Sequence, residues 1–161
     1  MKKTTFSEDL ANNRMHVTRE FAADRERVWQ AWTQPELLDQ WWAPKPWQAK
    51  TKTMQFEEGG YWLYCMMGPK GEKSWAKVNY QRIEAPEKFV ALDVFCDEEG
   101  TINDDFPKMH WDTTFQSSET GTKVEIEIKF DSPEDLKKIV EMGFKEGLSA
   151  AQDNLDALMA A

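Results

Sequence analysis

Few side chains in this sequence are placed to do acid, base or nucleophilic chemistry. The two histidines, His16 and His110, stand in strand-like alternating segments and outside any metal or nucleophile spacing. We therefore expect both to be structural or exposed. His110 and Asp112 share one strand face, and we expect that face to point to solvent because Trp111 points the other way.

Carboxylates and thiols offer two further kinds of chemistry. Asp93 interrupts an apolar strand, so it is either an inward acid with a raised pKa or an exposed or capped carboxylate, and the sequence favours the second. Cys65 and Cys96 lie in separate strands without a CxxC or Cys/His spacing, which favours buried thiols over a disulfide or a reactive thiol. Cys65 and Ser74 have no base at a recognisable distance, so nucleophilic catalysis is unsupported.

Charge excludes some classes of partner. Five acids lie in the segment 97–105, but their spacing does not match a calcium loop. We expect a solvated acidic loop there, and we expect neither a metal ion nor another cofactor. The net charge of -9, without a basic stripe, would repel phosphate backbones, so nucleic-acid binding is not expected.

Aromatic side chains are the distinctive feature of the chain. Four of its eight tryptophans lie within residues 21–44, which read as two short helices. Asp24 can cap the first helix, and Pro35 is well placed in the first turn of the second. Helices this short are marginal alone, so they must dock on a larger element, which we expect to be a sheet.

The following segments alternate with the period of strands. We expect strands over residues 50–56, 61–67, 74–83, 88–96, 109–116 and 122–130, separated by turn residues. In the last hairpin Phe115 should face Val124, and Trp111 should face Ile128.

The sequence does not clearly show which side chains of the strand at 61–67 lie on which face of the sheet. Counting back from its turns places Tyr61, Leu63 and Cys65 on the face of Val78 and Tyr80. This strand is then apolar on both sides, and one side could meet the short helices or a second subunit.

A long C-terminal helix should follow the sheet. Ser132 is a suitable cap, and an apolar stripe continues to about Leu158. Gly143 and Gly147 lie in that stripe, each costing about 1 kcal/mol relative to alanine. Two explanations remain open: close contact with the sheet or a small bend, or room for a ligand between helix and sheet.

This order of elements resembles the helix-grip fold of START-like (SRPBCC) domains, in particular the branch called activator of heat shock protein 90 ATPase homologue 1-like. The resemblance covers roughly residues 14–158, and it rests on the VWxAWTxPExLxxWW motif at residues 28–42, on Gly59-Gly60, on the segments 68–71 and 83–88, and on Gly121-Thr122. It implies an α+β fold in which a curved antiparallel sheet wraps around a long C-terminal helix, with two short helices after the first strand. We expect one START-like domain over residues 14–161, after a loose lead-in at residues 1–13.

The resemblance implies a function in binding a small hydrophobic or amphipathic molecule, without defined catalysis, because related domains enclose a cavity between sheet and helix. Trp42 and Trp75 would close the ends of that cavity. Each candidate could instead simply fill the core. The candidate ligand-binding residues are Trp42, Trp62, Tyr64, Met66, Trp75, Trp111, Phe115, Phe144 and Leu148.

Two other functions stay open. The family name implies a co-chaperone that stimulates heat shock protein 90, but we expect no stimulation here because the chain is too short for a further chaperone-binding domain. Some superfamily members show cyclase-like or hydrolytic activity. Without an apolar run near eighteen residues or a leader pattern, we expect a cytoplasmic protein with no membrane span. A homodimer is a further option.

The adjacent tryptophans Trp41 and Trp42 should differ in role. Successive helical residues point about 100° apart, so we assign Trp41 to the core and Trp42 to the mouth of the cavity. We expect Trp41→Ala to cost about 3 to 5 kcal/mol, and Trp42→Ala to cost less stability but more ligand affinity. Denaturant melts and ligand titrations of both variants measure this. Equal stability losses with unchanged affinity would make both plain packing residues.

Overall fold

The computed structural model describes residues 3–160, and its strands form one antiparallel sheet of eight strands in the order β1-β2-β8-β7-β6-β5-β4-β3. Helices α1 and α2 lie between β2 and β3, and α3 and α4 follow β8. This is the expected α+β helix-grip architecture. The strands are β1 (Thr5–Asp9), β2 (Arg14–Phe21), β3 (Gln48–Met54), β4 (Tyr61–Met67), β5 (Lys73–Glu84), β6 (Lys88–Cys96), β7 (Met109–Ser118) and β8 (Gly121–Lys129); the helices are α1 (Arg25–Thr33), α2 (Pro35–Trp41), α3 (Pro133–Glu141) and α4 (Phe144–Ala160).

The helical pair forms as its sequence indicates. The Asp24 side chain accepts a hydrogen bond from the Arg27 amide at 2.8 Å and caps α1, and Pro35 opens α2. Trp41 is 1% exposed and donates its indole N–H to the Ala31 carbonyl at 2.9 Å. This bond ties the end of α2 to α1, so the two short helices dock as a unit.

The last hairpin has the expected register. Phe115 pairs with Val124 and Trp111 with Ile128 between β7 and β8. Both apolar rows are buried. The face of the sheet that carries Trp111 also carries the helices, and we call it the inner face.

The assignment of β4 to its faces was wrong. Trp62 pairs with Val78 and Tyr64 with Ala76, so these residues lie on the inner face together with Tyr80. The β4–β5 loop has five residues, 68–72, and this length shifts the register by one residue from the count made on the sequence. A one-residue shift moves every side chain to the opposite face. Leu63 is therefore buried on the outer face.

The amino-terminal segment contains a strand within the stretch expected to be a loose lead-in. Strand β1 pairs with β2, from Thr5 opposite Thr18 to Asp9 opposite Arg14. Only Phe6 of this strand is partly buried. Because backbone hydrogen bonds hold this edge strand, its sequence shows no alternating apolar pattern from which a strand could be predicted. The two short helices consequently follow the second strand.

The expected single C-terminal helix is two helices. Ser132 caps α3, accepting a hydrogen bond from the Asp135 amide at 3.1 Å. The chain then breaks at Gly143, whose φ of +89° is left-handed, and α4 starts at Phe144. A glycine adopts this conformation without a Cβ clash and commonly ends a helix. Among the described residues, no helix is long and apolar enough to cross a membrane.

Helix α4 is held on two sides through its carboxy-terminal half. The buried Arg19 of β2 donates hydrogen bonds to Asp153 at 2.8 Å and to Asp156 at 3.1 Å. Asn154 donates to the Ala43 carbonyl at 3.1 Å. These contacts fix α4 between β2 and the segment after α2, while its first turns lie at the other end of the inner face.

Candidate ligand cavity

A cavity of about 240 Å³ lies between the inner face and the junction of α3 and α4. Most of its wall is apolar, and Asp93 contributes its one carboxyl group. The wall consists of Trp42, Pro44, Tyr64, Met66, Ser74, Ala76, Asp93, Phe95, Met109, Trp111, Ile139, Met142, Gly143, Phe144, Gly147 and Leu148.

Small residues leave this space open from both sides. Ala76 lies on the sheet wall, and Gly143 and Gly147 lie on the helical wall. A Cβ added at Gly147 would meet only the Pro44 Cγ, at 3.9 Å. Gly147 therefore does not mark a tight helix–sheet contact. Gly143, with its left-handed backbone, separates α3 from α4, which is a larger change of direction than the small bend expected from the sequence.

Six of the nine candidate residues line the cavity. They come from the residue after α2 and from β4, β7 and α4, so segments distant in sequence meet at one place. Trp62 lies just behind, lining a space of about 20 Å³ with Trp42 and stacking on Tyr64 at a centroid distance of 4.0 Å. The six are Trp42, Tyr64, Met66, Trp111, Phe144 and Leu148.

Two candidates lie away from the cavity. Trp75 pairs with Cys65 and Cys96, which places it on the outer face, so it does not close an end of the cavity. The same one-residue shift that misplaced β4 explains this. Phe115 is on the inner face, but it lies under α1, with its ring centroid 5.0 Å from Trp29. It is 1% exposed and fills the core.

Trp42 forms a wall of the cavity and is itself held firmly. Its indole N–H donates to the Tyr64 hydroxyl at 2.8 Å. Its ring centroid lies 5.4 Å from that of Trp62 and 6.1 Å from that of Trp111. Burial, and to a lesser degree the charge of Asp93, raises the pKa of Tyr64, so this hydroxyl stays protonated. Trp42 is 9% exposed and lies deeper than a mouth residue would.

The neighbouring Trp62 is positioned by a chain of hydrogen bonds. Its indole N–H donates to the Thr51 hydroxyl at 2.9 Å, and that hydroxyl donates to Asp39 of α2 at 2.6 Å. Asp39 also accepts from the Thr51 amide at 3.0 Å. This chain fixes α2 against β3, and with it the aromatic rings at this end of the cavity.

Asp93 is the inward acid of the two alternatives, so the expectation of an exposed or capped carboxylate was wrong. It is 7% exposed, lies between Val78 and Met109 on the inner face, and borders the cavity. Within residues 3–160 its carboxyl group makes no hydrogen bond. Burial raises its pKa from 3.8 to about 7.

A sequence signal for this orientation existed. Phe89, Ala91, Asp93 and Phe95 recur at every second position of β6, so Asp93 shares a face with two aromatic residues. A bulge between Tyr80 and Arg82 shifts the β5–β6 register. Counting from the turn at residues 85–87 could therefore not relate that face to the rest of the sheet.

The histidines, the thiols and the acidic loop lie outside the cavity, whereas Ser74 belongs to its wall. His16 is exposed, and His110 lies on the outer face with its Nε2 3.3 Å from an Asp131 carboxylate oxygen. Cys65 and Cys96 are free thiols, and burial raises the pKa of Cys96 to about 11. In the acidic loop, Asp97 accepts hydrogen bonds from the amides of residues 99 and 101. Residues 3–160 contain no group of three His, Cys, Asp or Glu side chains that could hold a metal ion.

We expect Asp93→Asn to gain stability relative to wild type as the pH rises. Between pH 3.8 and about 7 the folded state keeps a proton that the unfolded state has lost. Wild-type stability therefore falls by about 1.4 kcal/mol per pH unit from this group, or about 4 kcal/mol in all, and levels off above pH 7. Urea unfolding of both proteins from pH 4 to pH 8 measures the difference.

Asp104→Asn, in the exposed acidic loop, is the control and should follow the wild-type profile. A stability difference between Asp93→Asn and wild type that does not change with pH would contradict a buried carboxyl group that holds its proton.

Comparisons with known proteins agree with this architecture. The family model described as Activator of Hsp90 ATPase homolog 1-like protein matches residues 22–160. The crystal structure of a Mycobacterium smegmatis protein has 32% sequence identity to this chain. The alignment covers 98% of this chain and 96% of that chain, with a TM-score of 0.90. The solution structure of an Arthrobacter aurescens protein has 33% sequence identity to this chain. The alignment covers 97% of this chain and 91% of that chain, with a TM-score of 0.91.

A more distant likeness shows the fold alone. The crystal structure of a Nitrosomonas europaea protein is 24% identical, covering 93% of this chain and 96% of that chain at a TM-score of 0.82. No curated protein sequence matches the chain. The family match spans α1 to α4 and includes all cavity-lining residues. The chain therefore belongs to the Activator of Hsp90 ATPase homolog 1-like family and has its START-like fold.

Proposed function

We propose that the protein binds a small hydrophobic or amphipathic molecule in the cavity between the inner face and the α3–α4 junction. The observation that carries this proposal is an apolar space of about 240 Å³ in an otherwise aromatic core. A cavity of about 150 Å³ can hold benzene, and drug-sized sites begin at about 300 Å³. The size therefore suits a molecule of one or two rings.

The rim of the cavity supports access from solvent. Met142 is 47% exposed at the end of α3, and Ser74 is exposed at the start of β5. Both belong to the cavity wall, together with the partly buried Pro44. A methionine side chain is flexible and polarisable, so it can adapt to ligands of different shape. We infer that the ligand enters between α3 and the end of the sheet formed by β4 and β5.

The other hypotheses rest on weaker grounds. Activation of the Hsp90 ATPase is named in the family description and is not carried by any contact of the described residues. Cyclase-like or hydrolytic activity would need reactive groups at the cavity, where Asp93 is the one carboxyl group. A cytoplasmic location and a homodimer also remain predictions.

We expect Gly147→Leu to abolish binding of naphthalene, a neutral two-ring probe. The new side chain would extend past Pro44 into the cavity, while helix propensity favours leucine over glycine by about 1 kcal/mol. The protein should therefore stay folded. Titration calorimetry measures affinity, and the rise in melting temperature with probe concentration checks binding independently.

Ala157→Leu is the matched control, because this alanine is exposed on the same helix and lies outside the cavity wall. It should bind naphthalene as wild type does. Equal binding by Gly147→Leu would place the probe elsewhere. No binding by wild type to naphthalene or to a broad panel of apolar compounds would leave the cavity as a packing feature of the core.

A further inference from the structure

We propose that the cavity selects a small aromatic ammonium ion, whose cationic group lies against the Asp93 carboxylate and the surrounding aromatic rings. This inference rests on the proposed function and names the class of molecule that the cavity binds.

The first support is the position of Asp93. It stands in the middle of the inner face, flanked along its own strand by Ala91 and Phe95 and across the sheet by Val78 and Met109. Its side chain is more than nine-tenths buried and borders both the main cavity and the small space behind Trp42. Within the described residues it has no hydrogen-bond donor. A buried polar group is normally hydrogen-bonded, so a donor supplied by a ligand would complete this site.

The second support is the ring of aromatic side chains that shares the cavity with this carboxyl group. Trp111 lies 6.1 Å from Trp42 and 6.1 Å from Phe144, measured between ring centroids, and the rings of Tyr64 and Phe95 also line the cavity. The face of an aromatic ring attracts a cation through its quadrupole, most strongly for tryptophan, and aromatic cages bind alkylated ammonium groups in this way. Five rings beside one carboxylate therefore favour a cation.

The third support is the absence of positive charge from the cavity wall as the structure describes it. None of its residues is Lys, Arg or His. A ligand carboxylate would meet the Asp93 charge without a compensating cation, whereas an amine would meet no like charge. The net charge of -9 also draws cations towards the protein.

Asp93 should dominate the pH response of such a site. The titratable groups that sense its charge are Tyr64 on β4, Tyr80 on β5 and Cys96 on β6. Burial raises the pKa of all three, so they stay neutral between pH 6 and pH 8. The lining residues from α3, α4, β7 and the segment after α2 are uncharged. Amine affinity should thus follow ionisation of Asp93.

Three compounds with one carbon skeleton test this inference: 3-phenylpropylamine, 3-phenylpropan-1-ol and 3-phenylpropanoate. We expect wild type at pH 8 to bind the amine at least about tenfold more tightly than the alcohol and to reject the carboxylate. From pH 6 to pH 8 the ionised fraction of a group with a pKa of about 7 rises about tenfold, and amine affinity should rise nearly as much. Alcohol affinity should not rise.

Asp93→Asn supplies the matched variant, since it keeps the shape of the side chain and removes its charge. Its preference for the amine over the alcohol should fall below about threefold, because the variant offers no charge to the ammonium group. The wild-type series and its pH dependence decide the question even if this variant fails to fold.

Three outcomes separate the two proposals. The ammonium inference is overturned, and the proposed function left standing, if wild type binds the alcohol as tightly as the amine or binds naphthalene and rejects the amine. An amine preference that survives in Asp93→Asn overturns the role of Asp93. Failure of every probe, naphthalene included, removes both proposals.

Discussion

The packing of Trp42 between the helical pair and the sheet is the interaction on which this structure depends. Its ring contacts Trp32 and Trp41 from the helices and Trp62, Tyr64 and Trp111 from the inner face, with centroid distances between 5.2 and 6.4 Å. Aromatic pairs at such distances add to the stability gained from burial alone. The hydrogen bond to Tyr64 sets the orientation of the ring. One side chain thus docks two short helices and also forms a wall of the cavity.

The cavity exists because the second wall is held at a distance from the first. Gly143 ends α3 in a left-handed conformation, and α4 starts in a new direction. Arg19 and Asn154 then fix the far half of α4 to β2 and to the segment after α2. With α4 anchored at that end, its first turns cannot collapse onto the sheet without breaking these contacts. Ala76 and Gly147 leave the space between the walls unfilled.

The sequence predicts the fold because its strongest local signals agree with one another. The caps at Asp24 and Ser132, the alternation in β7 and β8, and the short turn between these strands all depend on neighbouring residues. The misjudged features depend on distant ones. A five-residue loop and a bulge each shift the register by one residue, which hides the faces of Tyr64 and Asp93. Gly143 ends α3 with a left-handed backbone, but the apolar stripe around it fits one continuous helix equally well, so the sequence pattern does not reveal the break.

Burying Asp93 without a partner costs stability, and this cost is understandable if the site serves a ligand. The most direct test of ligand binding in this cavity is an NMR titration with naphthalene that follows the indole N–H signals of the tryptophans. Binding in the cavity should shift the signals of Trp42 and Trp111, which line it, and leave that of Trp75 on the outer face unchanged. Shifts concentrated at Trp75, or no saturable shift at Trp42 and Trp111, would contradict the assignment of this cavity as the binding site.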